Sequence, residues 1–229
     1  MLDEVSGTTA NDISGHARHG SYEAGYTLNQ GGPGGSVTKS VHIDGEDSGL
    51  GRLEFPNSST TSMTSNFTLG FLMKLASTTS GGWNLVAVTK IDTSNNGTSQ
   101  PMQISCGGPG GNNTLHLRWG NGTSETFILE PATSPSAAEW HHVAVTASST
   151  TSVIYVDGVS IGSATSAQAR TNSGLPMRLG RRSSMSDQHG RTGEYAGLFV
   201  IPAALTQAQI QYILQPVPTS TESWAASLT

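Results

Sequence analysis

Apolar and polar residues alternate with a period of two in short runs along most of the chain, and clusters of Gly, Asn and Ser bound these runs. Alternation of this kind puts one set of side chains on each face of an extended segment, so it predicts half-buried β-strands. The clearest runs are Phe67–Lys74, Trp83–Thr89, Met102–Cys106, Leu115–Trp119, Thr126–Leu129, Trp140–Thr146, Ser152–Val156, Met177–Gly180 and Gly197–Ile201, with weaker ones at Val41–Ile43 and Arg52–Phe55. Strands at this density, with almost no helical periodicity between them, predict an all-β fold: a two-sheet antiparallel jelly-roll sandwich. Asp157-Gly158 stands between Val153–Val156 and Val159–Ile161 and predicts a hairpin joining them.

One short C-terminal helix is predicted over Thr206–Leu214. Thr206 accepts from the first turn while Gln209 reaches back to it, a capping box, and Ile210, Ile213 and Leu214 share one face that can cover the sandwich. Pro216-Val-Pro218 stops the helix. Residues 1–215 therefore read as one sandwich domain, and residues 216–229 as a polar tail with one large anchor, Trp224.

Composition narrows the function classes. The 229 residues carry a formal charge of −5, and the 11 Lys and Arg form no dense stripe, which argues against nucleic acid as a partner. Cys106 is the only cysteine; an internal disulfide is excluded, and the Met102–Cys106 run predicts that its thiol is buried. The opening Met-Leu-Asp-Glu lacks the basic and apolar regions of a signal peptide, and no apolar run approaches the roughly 18 residues a membrane helix needs. These features predict a protein made in a cytoplasm and not inserted in a membrane, although a module excised from a secreted protein would read the same way.

Trp140-His-His-Val-Ala-Val-Thr146, Tyr155-Val-Asp-Gly158 and Leu179-Gly-Arg-Arg182 resemble the laminin-G-like, concanavalin A-like jelly-roll family. Further elements of that family are matched by Asp12-Ile-Ser-Gly15 before Gly20-Ser-Tyr22, by Ile43-Asp-Gly45, by Phe67-Thr-Leu69 and by the closing Ala204-Leu-Thr-Gln-Ala-Gln-Ile210. They occur in family order from about residue 3 to residue 214. The resemblance implies the sandwich; it leaves function open, because this fold carries lectins, glycosidases, adhesion domains and virion proteins.

Few residues of this chain suit catalysis on such a scaffold. A glycosidase needs two carboxylates flanking the scissile bond, and the chain lacks the alternating acidic strand that sandwich glycosidases often use. Its densest acidic cluster, Asp44-Gly-Glu-Asp47, reads as a solvated turn. The pairs His16/His19 and His141/His142 lack a zinc-site frame and read as surface or packing histidines. No Ser-His-acid order can be assigned among the many serines. Gln30–Gly35 and Cys106–Gly111 share a Gly-Gly-Pro-Gly-Gly core without a helix behind it, so they read as rim loops rather than phosphate cradles. The resemblance raises one cofactor, a calcium ion held between the N-terminal loop and the last strand, for which Asp12 is the matching ligand. Where the family usually brings a second Asp, this chain has Ala196. Trp83 and Trp119 are candidate platforms for sugar stacking.

A non-catalytic structural or binding protein is thus expected. The first expectation is a bacteriophage virion surface component, a capsid decoration or tail protein, because the family resemblance extends to phage structural proteins. Its partners would be other virion proteins or further copies of itself, with Trp224 as the assembly anchor. The alternative is a carbohydrate-binding or adhesion module meeting a cell-surface glycan. Deleting Pro216–Thr229 is expected to leave a folded sandwich with weakened self-association; unchanged sedimentation of the shortened chain would contradict an assembly role for the tail.

Overall fold

A strand with one apolar face is stable only when that face meets another, and here two antiparallel sheets meet face to face. The computed structural model describes residues 2–45, 51–76, 86–90, 102–106, 115–120, 125–129, 135–165, 170, 174–181 and 190–214. One sheet has eight strands in the spatial order β1 (Thr9–Ala10), β2 (Gly20–Glu23), β5 (Arg52–Phe55), β14 (Met177–Leu179), β7 (Val86–Thr89), β8 (Gln103–Cys106), β9 (Leu115–Gly120) and β10 (Glu125–Leu129). The other has seven, in the order β13 (Val159–Thr165), β12 (Thr151–Val156), β11 (His141–Ala147), β6 (Phe67–Leu75), β15 (Gly193–Ile201), β4 (Val37–Ile43) and β3 (Tyr26–Gly34). Neighbours in space are often distant in sequence, as a jelly roll requires.

The core lies between the sheets. In the seven-stranded sheet Val143, Val145 and Ala147 of β11 stand opposite Phe71, Leu69 and Phe67 of β6, all of them buried. In the eight-stranded sheet Leu53, Leu179, Val88, Ile104 and Leu117 supply the facing surface and belong to the same cluster. Each fully buried side chain of this kind contributes about 1.5–3 kcal/mol relative to exposure. Cys106 is part of the cluster, and burial pushes its thiol up to about 12.

The predicted hairpin forms: Val156 pairs with Val159, and Asp157 and Gly158 both have positive φ. The helix also forms as α1 (Gln207–Ile213), with Thr206 as N-cap and the reciprocal Thr206–Gln209 capping box in place. Ile210 alone of its predicted apolar face is fully buried, against Ala144 and Tyr155 on the outside of the seven-stranded sheet. Ile213 is 41% exposed, because a helix of barely two turns can press only one residue deeply into a flat sheet.

The first glycine-rich stretch departs from its expectation. Gln30–Gly34 is the end of β3 rather than a rim loop, and Gln30, Gly31 and Gly34 pair with Ser40, Lys39 and Val37 of β4. Glycine is required there by close approach: a Cβ on Gly32 would lie 2.4 Å from the Val37 carbonyl oxygen. Period-two reading misses such a strand because glycines carry no apolar signal. The second stretch, beyond Cys106, lies outside the described residues, as does the tail 216–229.

Replacing Phe71 by Ala removes the centre of the inter-sheet contact and is expected to cost about 3–5 kcal/mol. Urea unfolding should show the loss as a lower midpoint at unchanged slope.

Candidate functional site

The alternation that buries Leu53, Leu179, Ile104 and Leu117 turns Glu54, Arg178, Gln103 and Arg118 to the opposite face of their sheet. The sheet register aligns these neighbours in one row: Glu54 opposite Arg178, Arg178 opposite Thr89, Thr89 opposite Gln103 and Gln103 opposite Arg118. The row crosses five adjacent strands, about 19 Å at the usual strand spacing. Ser105 and His116 form a second pair on the same face. A face so rich in Arg, Glu, Gln, His and Ser is built from hydrogen-bonding groups.

Part of this face is tied together internally. Arg178 Nε donates to Glu54 Oε2 at 2.7 Å, and Arg52 Nε lies 3.6 Å from the same oxygen. Arg52, Glu54 and Arg118 are half-buried, whereas Gln103 and Ser105 are buried. Gln103 Nε2 and Ser105 Oγ have no hydrogen-bond partner among the described residues. A buried polar group left without a partner costs about 1–3 kcal/mol, so the face carries unsatisfied capacity. Nothing in the sequence announces this row, since its members are spread over residues 54 to 178 and only strand register unites them.

The residues singled out from sequence fall elsewhere. Trp119, a candidate stacking platform, points inward with Leu117, is 5% exposed, and is capped by the Arg170 guanidinium 4.7 Å from its ring centre. Trp83 and Trp224 lie outside the described residues. Asp12 organises its own loop. Oδ1 accepts from Ser14 N at 2.8 Å and Oδ2 from Arg18 N at 2.9 Å, and hydrogen bonding led by the Ser14 side chain holds its carboxyl down at about 2. A calcium site needs six to eight oxygens, whereas Asp12 is ringed by N–H donors. Ala196 is buried opposite Leu72, and among the described residues no group of three His, Cys, Asp or Glu could hold a metal ion. Among the described residues, those around Asp12 do not fit a calcium ion. Asp44 accepts from Thr192 Oγ1 at 3.1 Å, a structural tie.

The two adjacent histidines separate as strand geometry requires. His141 bridges Ser136 and Asp157, with Nε2 2.8 Å from Ser136 Oγ and Nδ1 2.8 Å from Asp157 Oδ2. The sequence pattern pointed to no such Ser-His-acid set. Ser136 Oγ donates to Glu139, so its one proton points away from His141, and Asp157 Oδ1 accepts from His142 N at 2.9 Å. The arrangement pins the 135–140 segment to the β12–β13 turn rather than activating a nucleophile. His142 turns to the outside of the seven-stranded sheet, where its ring stacks on Phe199 at 6.0 Å between centroids. It is 4% exposed, neither ring nitrogen has a partner among the described residues, and burial lowers its pKa to about 4.

Two stacked antiparallel sheets with jelly-roll strand order define the concanavalin A-like class of sandwich. The chain belongs to the laminin G family described as the concanavalin A-like lectin/glucanases superfamily, matched over residues 47–211. Among curated proteins no match is found. Solved structures similar in fold include the binding domain of Paraclostridial Mosquitocidal Protein 1, with a TM-score of 0.66 and 14% identity over 90% of this chain and 50% of that one. The botulinum neurotoxin DC binding domain in complex with SialylT has a TM-score of 0.61 and 15% identity over 93% of this chain and 52% of its own. Domain 4 of AbnA, an extracellular arabinanase from Geobacillus stearothermophilus in complex with arabinotriose, has a TM-score of 0.56 and 18% identity, covering 91% of this chain and 87% of that one. The chain thus spans about half the length of the toxin binding domains and most of the arabinanase domain.

The buried neutral state of His142 ties stability to pH. Its pKa is about 4 in the folded chain, against 6.5 for an ordinary histidine such as the unfolded chain presents. Between these values the unfolded chain binds the extra proton, so stability falls as pH is lowered. The urea midpoint is expected to drop from pH 6.5 to pH 4, and His142→Phe should flatten that part of the profile; an unchanged profile would contradict the assignment.

Proposed function

We propose that the chain is a non-catalytic binding module that recognises carbohydrate, in the manner of an adhesion domain. The polar outer face of the eight-stranded sheet carries this reading. It carries polar residues on β5, β14, β8 and β9, of which Arg52, Glu54 and Arg118 are half-buried, while Gln103 and Ser105, whose Nε2 and Oγ lack partners among the described residues, are buried. Sugars present many hydroxyls that act as both donor and acceptor, and recognising them takes several convergent polar groups on a preformed surface. Arg52, Glu54 and Arg118 are the members that reach the surface and would make first contact.

Likeness in fold to a domain solved with arabinotriose, over most of both chains, supports this reading, as does the toxin binding domain solved with SialylT; a related toxin domain solved with rat synaptotagmin II supports a binding role more broadly. These likenesses favour the glycan-binding alternative over docking to capsid or tail proteins of a virion, for which the sequence anchor was Trp224. A glycan array followed by calorimetric titration, with arabinotriose and a sialylated oligosaccharide as first probes, tests the proposal. Specific binding is expected, and Arg118→Ala should weaken it by about tenfold, the worth of one charged hydrogen bond. Absence of binding to every glycan on the array, together with concentration-dependent self-association, would favour the assembly reading instead.

A further inference from the structure

Two concavities open on the sandwich away from the polar face. The first, of about 370 Å³, lies between the N-terminal loop and β15; the ionised Asp12 carboxylate and Arg18 both line it, so it favours neither sign of charge. The second, of about 490 Å³, lies at one end of the seven-stranded sheet, and sheet register assembles it. Phe67 pairs with Ala147 and Thr68 with Ile201, which brings Thr64, Ser65 and Asn66 ahead of β6 beside Ser149 of the β11–β12 turn and Pro202 at the end of β15.

Among the described residues lining this second cleft, Arg170 is the one charged side chain. Its guanidinium lies over two aromatic rings, 5.3 Å from the centre of Phe67 and 4.7 Å from that of Trp119, and Nη2 donates to the Ser65 carbonyl oxygen at 2.7 Å. The same contacts that close the end of the core therefore fix the plane of the fork. They supply no counter-charge. No carboxylate pairs with Arg170 among the described residues, its Nε is buried without a partner there, and burial lowers its pKa to about 10.

A half-buried guanidinium held in one plane without an acid partner is preorganised for an oxyanion, which accepts from such a fork through two oxygens. The walls of the cleft suit the same ligand. The side chains of Thr64, Ser65, Asn66 and Ser149 are exposed, can each donate a hydrogen bond, and make none within the described residues. We infer that this cleft binds a small molecule through a carboxylate, sulfate or phosphate group seated against Arg170, with the body of the molecule against Asn66, Ser149 and Pro202. Small-molecule sites have volumes of this order, so the ligand is larger than a bare ion. None of the lining residues belongs to the polar row, and the site stands whether or not that face binds glycan.

The test follows the Arg170 Nε–Hε resonance of the isotopically labelled full chain, which reports this cleft and not the polar face. The probes are inorganic sulfate, inorganic phosphate and glucuronate, with glucose as the neutral control. A saturable shift is expected with the anions and none with glucose. A stronger response to glucuronate identifies a carboxylate ligand; a stronger response to the inorganic ions identifies a sulfate or phosphate. Arg170→Lys, which keeps the charge and loses the fork, should weaken binding about tenfold in calorimetric titration. Ser149→Asp, an exposed change that places a carboxylate in the cleft and leaves the cap over Trp119 and Phe67 in place, should abolish it with a thermal midpoint within a few degrees of the parent. An Arg170 resonance unmoved by every anion, a response to glucose equal to that to glucuronate, or an affinity unchanged in Ser149→Asp would overturn the proposal.

Discussion

Everything else in this molecule depends on one contact, the meeting of the inward faces of its two sheets. Phe67, Leu69 and Phe71 of β6, with Val143, Val145 and Ala147 of β11, form one side of it, and Leu53, Val88, Ile104, Leu117 and Leu179 form much of the other. Burial of apolar surface is non-directional, so it cannot choose a register by itself. The pleat makes the choice, because a slip of one residue would turn each apolar set to solvent. Once the inward residues are fixed, the outward ones have no freedom: Gln103, Arg118, Arg178 and Glu54 must share a face.

The two outer faces then take different roles. On the seven-stranded sheet Ala144 and Tyr155 are covered by Ile210 of the capped helix, and His142 is stacked on Phe199. On the eight-stranded sheet the residues are polar, and Gln103 Nε2 and Ser105 Oγ lack partners among the described residues. Natural interiors rarely leave such groups unsatisfied. The cavity beside β15 has a different origin. It lies beside the part of β15 beyond Tyr195, where pairing with β4 ends among the described residues.

Several features that look chemical in isolation prove to be structural once placed. Asp12 holds a loop together through backbone N–H groups, and His141 ties Ser136 to Asp157 with the serine proton directed to Glu139. Arg170 closes the end of the core by lying over Trp119 and Phe67. These are the arrangements by which a sandwich short of aromatic residues secures its loops and its open ends.

The amino-acid pattern by itself determined the fold class, most strands, the Asp157-Gly158 hairpin and the capping box at Thr206, since each rests on residues close together in the chain. It also pointed to the family through short motifs in order, and to a buried Cys106. β3 escaped because glycines carry no periodic signal, and the burial of Trp119 was not legible because an aromatic residue on a strand reads alike whether it faces core or ligand. Only the tertiary structure decided the candidate sites. The polar row joins five strands from residues 54 to 178, and the cleft at Arg170 joins the segment ahead of β6 to the β11–β12 turn and the end of β15. Register and strand order set such neighbours, and those follow from how whole sheets pack rather than from any local run of residues.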